Sequence, residues 1–302
     1  MKYHLVDDSC TPLGGTALTL RAMVSPECLN CEESLEKKVK FISTSQLTKS
    51  FCEQNDPELW IFGNIMMINE ESYEAIKWVM ENKKFVKIEF DYGYCQYRGP
   101  ICHQVLSEGE ECDCPNSQTP HNVIYSLIGE RASHIFYMSN EQMEMHAEAL
   151  KYNLKTSDRY SVLTSCFLPE DLDTMKKLRK KKKNGKYAVI DGQGGWHSMA
   201  KGVEEALNVV KGSDMPFELL KTETHQEMLH KLSDFSCLVF LPLIHDTCPR
   251  VTIEAKLMGV GLITNVRSQH VTEYWWKQPV EQIEKYIRER PKIFCQKISS
   301  LT

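Results

Sequence analysis

The sequence predicts an α/β fold made of two domains, each built on a parallel sheet. Three observations carry that prediction. Short apolar runs alternate with amphipathic stretches of helical length along most of the chain, which is the pattern of strand–helix–strand units. The apolar runs are nearly continuous, without in–out alternation, as strands buried on both faces read. The pattern also breaks once, at Lys180-Lys181-Lys182-Lys183, and begins again after Asn184-Gly185. A chain of 302 residues exceeds one small core, so this break predicts domains at 1–183 and 184–280, with a closing helical segment at 281–302.

Composition narrows the class. With 42% hydrophobic and 25% charged residues the chain is an ordinary globular protein, and a net charge of −5 gives no global basic footprint for nucleic acid. No run of about 18 apolar residues is present to span a bilayer. The opening residues MKYHLVDDSC enter a strand directly, without the layout of a signal peptide. The expectation is a cytoplasmic protein whose 12 cysteines are mostly reduced.

In the first domain, Lys2 to Val6 reads as a strand that ends in Asp7-Asp8. A loop then carries Gly14-Gly15 into a helix. Glycines at such a turn let backbone approach a ligand, and the helix dipole favours an anion there, although a plain tight turn has the same spelling. Val39 to Ser43, Leu59 to Ile65, Phe85 to Phe90, His134 to Met138 and Tyr160 to Thr164 read as further strands. The helices between them fall near Ser45 to Phe51, Glu71 to Asn82, Asn122 to Ile128 and Glu141 to Leu150. Asp91 follows the fourth strand at the edge where ligands of doubly wound sheets lie; an aspartate before Gly93 also suits a simple turn.

Cys95 to Cys114 reads as a loop containing Cys95, Cys102, His103, Cys112 and Cys114. Thiolates and imidazole are zinc ligands. The spacing C-x6-C-H-x8-C-x-C matches no common finger, and C-x-C leaves less room than C-x2-C for two ligands on one ion. Free thiols are therefore preferred to a structural zinc at Cys95/Cys102/Cys112/Cys114, and Cys28-x2-Cys31 is read the same way.

Phe167 to Asp171 opens a helix that runs into the lysines, most simply a solvated, self-repelling face. Tyr187 to Ile190 is then a strand, Asp191 to Trp196 a glycine-rich loop with Gly192 and Gly194, and His197 to Val210 a helix. Phe217 to Lys221 and Glu223 to Leu232 repeat the unit. Leu238 to Asn265 forms one more: strand, polar break His245-Asp246-Thr247-Cys248-Pro249, helix from Arg250 to a stop at Gly259, and strand Gly261 to Thr264. Glu254 is the oddity, a carboxylate in an otherwise apolar helix. Val271 to Trp276 reads as a turn whose aromatics pack, and the last helix, Val280 to Glu289, is expected to end before Pro291.

Asp246-x7-Glu254, continued by Ala255, Gly259 and Thr264-Asn265, resembles the acidic E-x7-E signature of retaining GT-B glycosyltransferases, family 4 in particular. Lys201-Gly202 resembles that family's Lys-Gly pair, and Gly14-Gly15 its first-loop glycines. Asp246 departs from the family's glutamate, and Gln193 stands where an arginine is usual. The resemblance implies a GT-B fold, two Rossmann-like domains facing across a cleft, with an abbreviated second domain of roughly four strands. It implies acceptor binding by the first domain and nucleotide-sugar binding by the second. Asp246, Lys201 and Asp91 would be the catalytic set. Gly14, Gly15, Gly192, Gly194, His197, Lys201, Thr247, Arg250 and Glu254 would line the donor site, with Glu254 on the ribose and Arg250 or His197 replacing the missing arginine. No metal cofactor is implied, because Lys201 and the helix N-terminus at Pro249 supply positive charge for the departing diphosphate. The partners implied are a nucleotide-sugar and an acceptor that is a glycan, lipid-linked or a nucleic acid, without integral membrane contact. Two other classes stay open: a non-catalytic nucleotide-sugar-binding relative, and a nucleic-acid-binding or -modifying protein that uses the lysine run.

Overall fold

The computed structural model describes residues 2–8, 14–25, 38–154, 158–191 and 194–302. The chain forms two compact units, Met1–Leu168 with Glu289–Thr302, and Pro169–Arg288. The first contains β1 (Tyr3–Asp7), α1 (Gly15–Val24), β2 (Val39–Ser43), α2 (Lys49–Gln54), β3 (Leu59–Phe62), α3 (Glu70–Asn82), β4 (Phe85–Glu89), α4 (Pro100–Leu106), α5 (Pro120–Arg131), β5 (His134–Tyr137), α6 (Asn140–Leu150) and β6 (Tyr160–Val162). The second contains α7 (Pro169–Leu178), β7 (Tyr187–Ile190), α8 (Gly195–Ala200), α9 (Val203–Gly212), β8 (Phe217–Leu220), α10 (His225–Leu232), β9 (Cys237–Phe240), α11 (Arg250–Leu257) and β10 (Gly261–Thr264). The last helix, α12 (Val280–Ser300), begins among the residues of the second unit and ends among those of the first.

Both sheets are parallel, as the apolar runs predict. The first has six strands in the order β2-β1-β3-β4-β5-β6, and the second four in the order β10-β9-β7-β8. The α/β class and the shorter second sheet therefore agree with the sequence.

In the first unit, β3 is central and wholly buried, and its Trp60 and Phe62 stack at 6.5 Å between ring centroids. Its neighbour β4 carries a charged pair in the same interior: Lys87 Nζ lies 3.0 Å from Glu89 Oε2, and neither side chain is more than 2% exposed. Burial of both ions is costly, so the pair says more about position than stability. Lys87 also donates to the Gly63 carbonyl (2.9 Å), and Glu89 accepts from Gly93 N (3.3 Å) and the Tyr125 hydroxyl (3.2 Å). The pair thereby ties down the loops leaving β3 and β4.

The helices start where cap signals stand. Thr48, Asn69, Thr119, Ser139 and Thr224 each accept a backbone N–H from the first turn, and Asn69 with Ser72 forms a reciprocal box. Three differences from the sequence expectation follow from local chemistry. The cysteine-rich segment contains α4, begun by Pro100 at the first helical position after Gly99. The helix expected over His197 to Val210 is divided into α8 and α9 by Gly202, whose φ is +64°. The last helix does not end before Pro291 but runs through it to Ser300. Proline removes one N–H, and that loss is outweighed by the burial of Ile287, Phe294 and Ile298 on either side of it, each 0% exposed.

Three buried imidazoles set an expected pH dependence. Burial, with a nearby lysine in each case, pushes His4 and His134 down to about 4 and His270 to about 3. The unfolded chain takes up their protons below about pH 6.5, while the folded chain does not. Stability is full above that value and falls as the pH drops toward about 4. The urea midpoint is expected to decrease from about pH 7 to about pH 5, and a flat midpoint over that window would contradict the assignment.

Candidate functional site

In the second sheet β7 is followed by β8 on one side and, after a crossover, by β9 on the other. The loops leaving β7 and β9 diverge there. Such a reversal of strand order opens a crevice at the carboxyl edge, where ligands of parallel sheets bind.

The loop after β7 leads through Gly194 (φ +84°) and Gly195 (φ +54°) into α8, with the Gly194 amide donating to Ser198 Oγ at 2.8 Å. At the far end of α8 stands Lys201, followed by Gly202. A Cβ at Gly202 would lie 1.7 Å from the Leu241 carbonyl oxygen, in the loop beyond β9. Only glycine lets the two loops approach this closely. Leu243 N donates to the Ala200 carbonyl (3.2 Å) at the same junction. Lys201 is thereby carried across the switch point, where its Nζ lies 2.5 Å from Asp246 Oδ2 and 5.7 Å from the centre of the Phe240 ring.

Asp246 is held by its backbone. Its N–H donates to the Arg267 carbonyl (2.8 Å), and its carbonyl accepts from Gln269 N (3.0 Å). Asn265 adds a strut, donating through Nδ2 to the Pro242 carbonyl at 3.0 Å. The Asp246 side chain is 15% exposed and that of Lys201 45% exposed, so the pair is open to solvent on the lysine side.

Glu254 does not face bulk water. Its side chain is 2% exposed, and Oε1 lies 2.8 Å from His225 Nε2 and 3.5 Å from Arg250 Nε. His225 is the first residue of α10, and its Nδ1 lies 3.7 Å from Asp171 Oδ2. Gln226 also donates to Asp171 (2.7 Å). Burial pushes the Asp171 carboxyl above its ordinary value, with Glu254 a smaller contributor in the same direction. The helix α11 begins at Arg250, as expected, with Pro249 flanking it and no side chain capping it. Thr247 and Arg250 are buried, while His197 is exposed on α8. Gly192 and Gln193 lie outside the described residues.

Sequence reasoning missed His225 and Asp171. The available signal was a histidine directly after the capping Thr224, at the carboxyl end of a strand adjacent to β7. It also missed an Asp-x-Asp triplet, Asp171-Leu172-Asp173. The structure gives its two carboxylates separate partners, His225 and Gln226 for Asp171, and Arg288 (2.8 Å) for Asp173.

In the first unit the strand order reverses between β1 and β3. Asp7 Oδ2 accepts from Asn64 N (2.7 Å), and Asp8 accepts from Met66 N (2.7 Å) and Met67 N (3.1 Å), so both acids that close β1 brace the loop beyond β3. Gly14 (φ +105°) flanks α1 and Gly15 opens it; both are exposed, and nothing lies within 4 Å of a Cβ at Gly14. Asp91 pairs with Arg98 Nη2 at 2.7 Å, an attraction that raises the already high guanidinium value. Farther along this loop Cys95, Cys112 and Cys114 converge, and the fourth member of the cluster is His103, not Cys102. Neighbours in sequence on a helix point in different directions, and only His103 faces the three thiols. Cys10, Cys28 and Cys31 lie outside the described residues.

No helix among the described residues is long and apolar enough to cross a membrane. No family model and no curated protein sequence matches the chain. Solved structures do. HepE of Anabaena in complex with UDP-glucose is 13% identical, with 99% of each chain covered and a TM-score of 0.54. Sucrose-phosphate synthase of Thermosynechococcus elongatus is 12% identical over 99% of this chain and 94% of that one, with a TM-score of 0.55. The UDP-GlcNAc 2-epimerase of Methanocaldococcus jannaschii, in complex with UDP-GlcNAc and UDP, is 9% identical over 99% and 100%, with a TM-score of 0.51. At such identities the likeness is one of fold, and the fold is GT-B.

Proposed function

We propose that the protein is a glycosyltransferase that moves a sugar from a nucleotide-sugar donor to an acceptor, with retention and without a metal cofactor. The donor would be held by the second unit and the acceptor by the first. The observation that carries the proposal is the pairing of Lys201 with Asp246 across the switch point of the second sheet. Two residues far apart in sequence and marked by separate motifs meet at the place where such sheets bind ligands. The leaving diphosphate needs positive charge; Lys201, the glycine turn opening α8 and the start of α11 beside Arg250 offer it without an ion. Asp246 would orient the sugar. Glu254, fixed by His225 and Arg250, would take the ribose hydroxyls. Asp91 would stand on the acceptor side.

The GT-B structures bound to UDP-glucose and UDP-GlcNAc support a nucleotide-sugar ligand. The lysine run fits a nucleic-acid reading less well, because Lys181 pairs with Asp234 at 2.5 Å and Lys183 donates to the Ser233 and Met258 carbonyls of its own unit. Binding without transfer is favoured by the aspartate at position 246, one methylene shorter than the glutamate of the signature, by Gln193 in place of an arginine, and by the four-stranded second sheet.

Thermal unfolding against UDP-, GDP- and ADP-sugars tests the proposal. One donor is expected to raise the melting point, since a ligand at 100 times its Kd adds about 2.7 kcal/mol. Nucleoside diphosphate should then accumulate when that donor is incubated with acceptor mixtures. If no nucleotide-sugar shifts the melting point, the proposal fails; a shift with an intact donor leaves only the binding role.

A further inference from the structure

The geometry points to a zinc site in the first unit, made by Cys95, His103, Cys112 and Cys114, that clamps the loop between β4 and α5. The four donor atoms, three Sγ and one imidazole nitrogen, all lie within 4.8 Å of one another. Among the described residues no other group of three or more histidine, cysteine or carboxylate donors converges in this way. His103 Nδ1 is 3.6 Å from Cys95 Sγ and 3.3 Å from Cys114 Sγ. A tetrahedral zinc with Zn–S of about 2.3 Å and Zn–N of about 2.0 Å has S···N edges of about 3.5 Å and S···S edges of about 3.8 Å. The two measured edges bracket the first value. A Cys3His donor set is typical of closed, structural zinc sites.

The surroundings fit that role. Cys95, His103 and Cys114 are buried, and Cys112 is half-buried, which leaves one side for an ion to enter. The Cys95 turn is fixed on both sides, with Cys95 N donating to Tyr92 O (2.9 Å) and Arg98 N to Cys95 O (2.8 Å). The edge of the Tyr97 ring meets the His103 ring at 4.9 Å and holds its plane. A disulfide would use two of the sulfurs and leave the third, with an imidazole against it, unexplained. Loading the site releases three thiol protons to solvent and leaves Zn²⁺ bound by three thiolates and one neutral imidazole.

The ion would have a structural task. The clamped segment contains Arg98, held at φ +65° and paired with Asp91. Zinc would hold that unfavourable backbone in place without touching a substrate.

The test uses the full chain, purified without chelator and assayed for metal, then stripped and titrated with Co²⁺. The expected result is about one zinc per chain and, with cobalt, the intense visible bands of a tetrahedral thiolate site. Cys114→Ser and His103→Ala should reduce bound metal to near none, whereas Cys102→Ser should keep it. Should the ligand variants fail to fold, thiol titration of the unaltered chain decides: Zn²⁺ is expected to protect three thiols from a disulfide reagent. A chain that takes up neither ion, a stable disulfide within the cluster under reducing purification, or equal metal loss in Cys102→Ser and Cys114→Ser would overturn the assignment.

Discussion

Lys201→Ala is expected to lower the turnover of a nucleotide-sugar donor by about 100- to 1,000-fold, the usual consequence of removing one preorganised donor of positive charge from a site where negative charge develops. The structure shows why the loss should fall on chemistry and not on stability. The Lys201 side chain is 45% exposed and its partner Asp246 is a surface-edge carboxylate. Open pairs of this kind contribute about 1 kcal/mol or less to folding. Asp246 lies 2.5 Å from the ammonium group; a diphosphate arriving at the carboxyl edge would compete for that charge and free the carboxylate for the sugar. The check is a steady-state rate for donor consumption beside a melting curve. An unchanged rate would remove Lys201 from the mechanism, and a collapse of the melting point would assign it to the scaffold.

Gly202→Ala is expected to have the opposite signature. A methyl group there would sit 1.7 Å from the Leu241 carbonyl oxygen, and the backbone at φ +64° disfavours any side chain. Backbone cannot rotate aside as a flexible side chain can, so the two loops must part. A loss of about 3 kcal/mol or more is expected, read as a lower urea midpoint. Any folded remainder should also bind donor poorly, because the displaced junction carries Lys201. A variant with unaltered midpoint would show that the loops do not meet in solution.

Much of the architecture was legible because buried parallel strands have a distinctive spelling. β2, β7 and β10 fall on the residues expected, and α11 stops at Gly259 (φ +68°) as a glycine after a helix predicts. The failures have physical causes. Pro291 is a helix breaker by local rules, but burial of Ile287, Phe294 and Ile298 outweighs the lost hydrogen bond. Gly202 reads as an ordinary glycine within a helical period; its reason for being glycine is Leu241, remote in sequence. At the candidate site, Lys201 and Asp246 were each named from local motifs, yet their meeting depends on the order β10-β9-β7-β8, which no local pattern encodes. His225 escaped notice for the same reason, since its partner Glu254 comes from a different strand–helix unit. The cysteine loop was read from spacing alone, and spacing gave no sign that α4 would turn His103 inward and Cys102 away.

The first unit is discontinuous in sequence: residues 289–302 complete an interior otherwise formed by residues 1–168. Phe294 packs against Phe136 at 5.1 Å between ring centres, and Ile298 is fully covered. A ribosome making this chain must therefore finish the whole of the second unit before the first can close. Until the final turns emerge, the earlier-made half waits with an uncovered apolar seam. Nascent chains stalled before Phe294 should accordingly be cut by protease in the amino-terminal half while the later-made half resists, an inversion of the usual order in which domains mature.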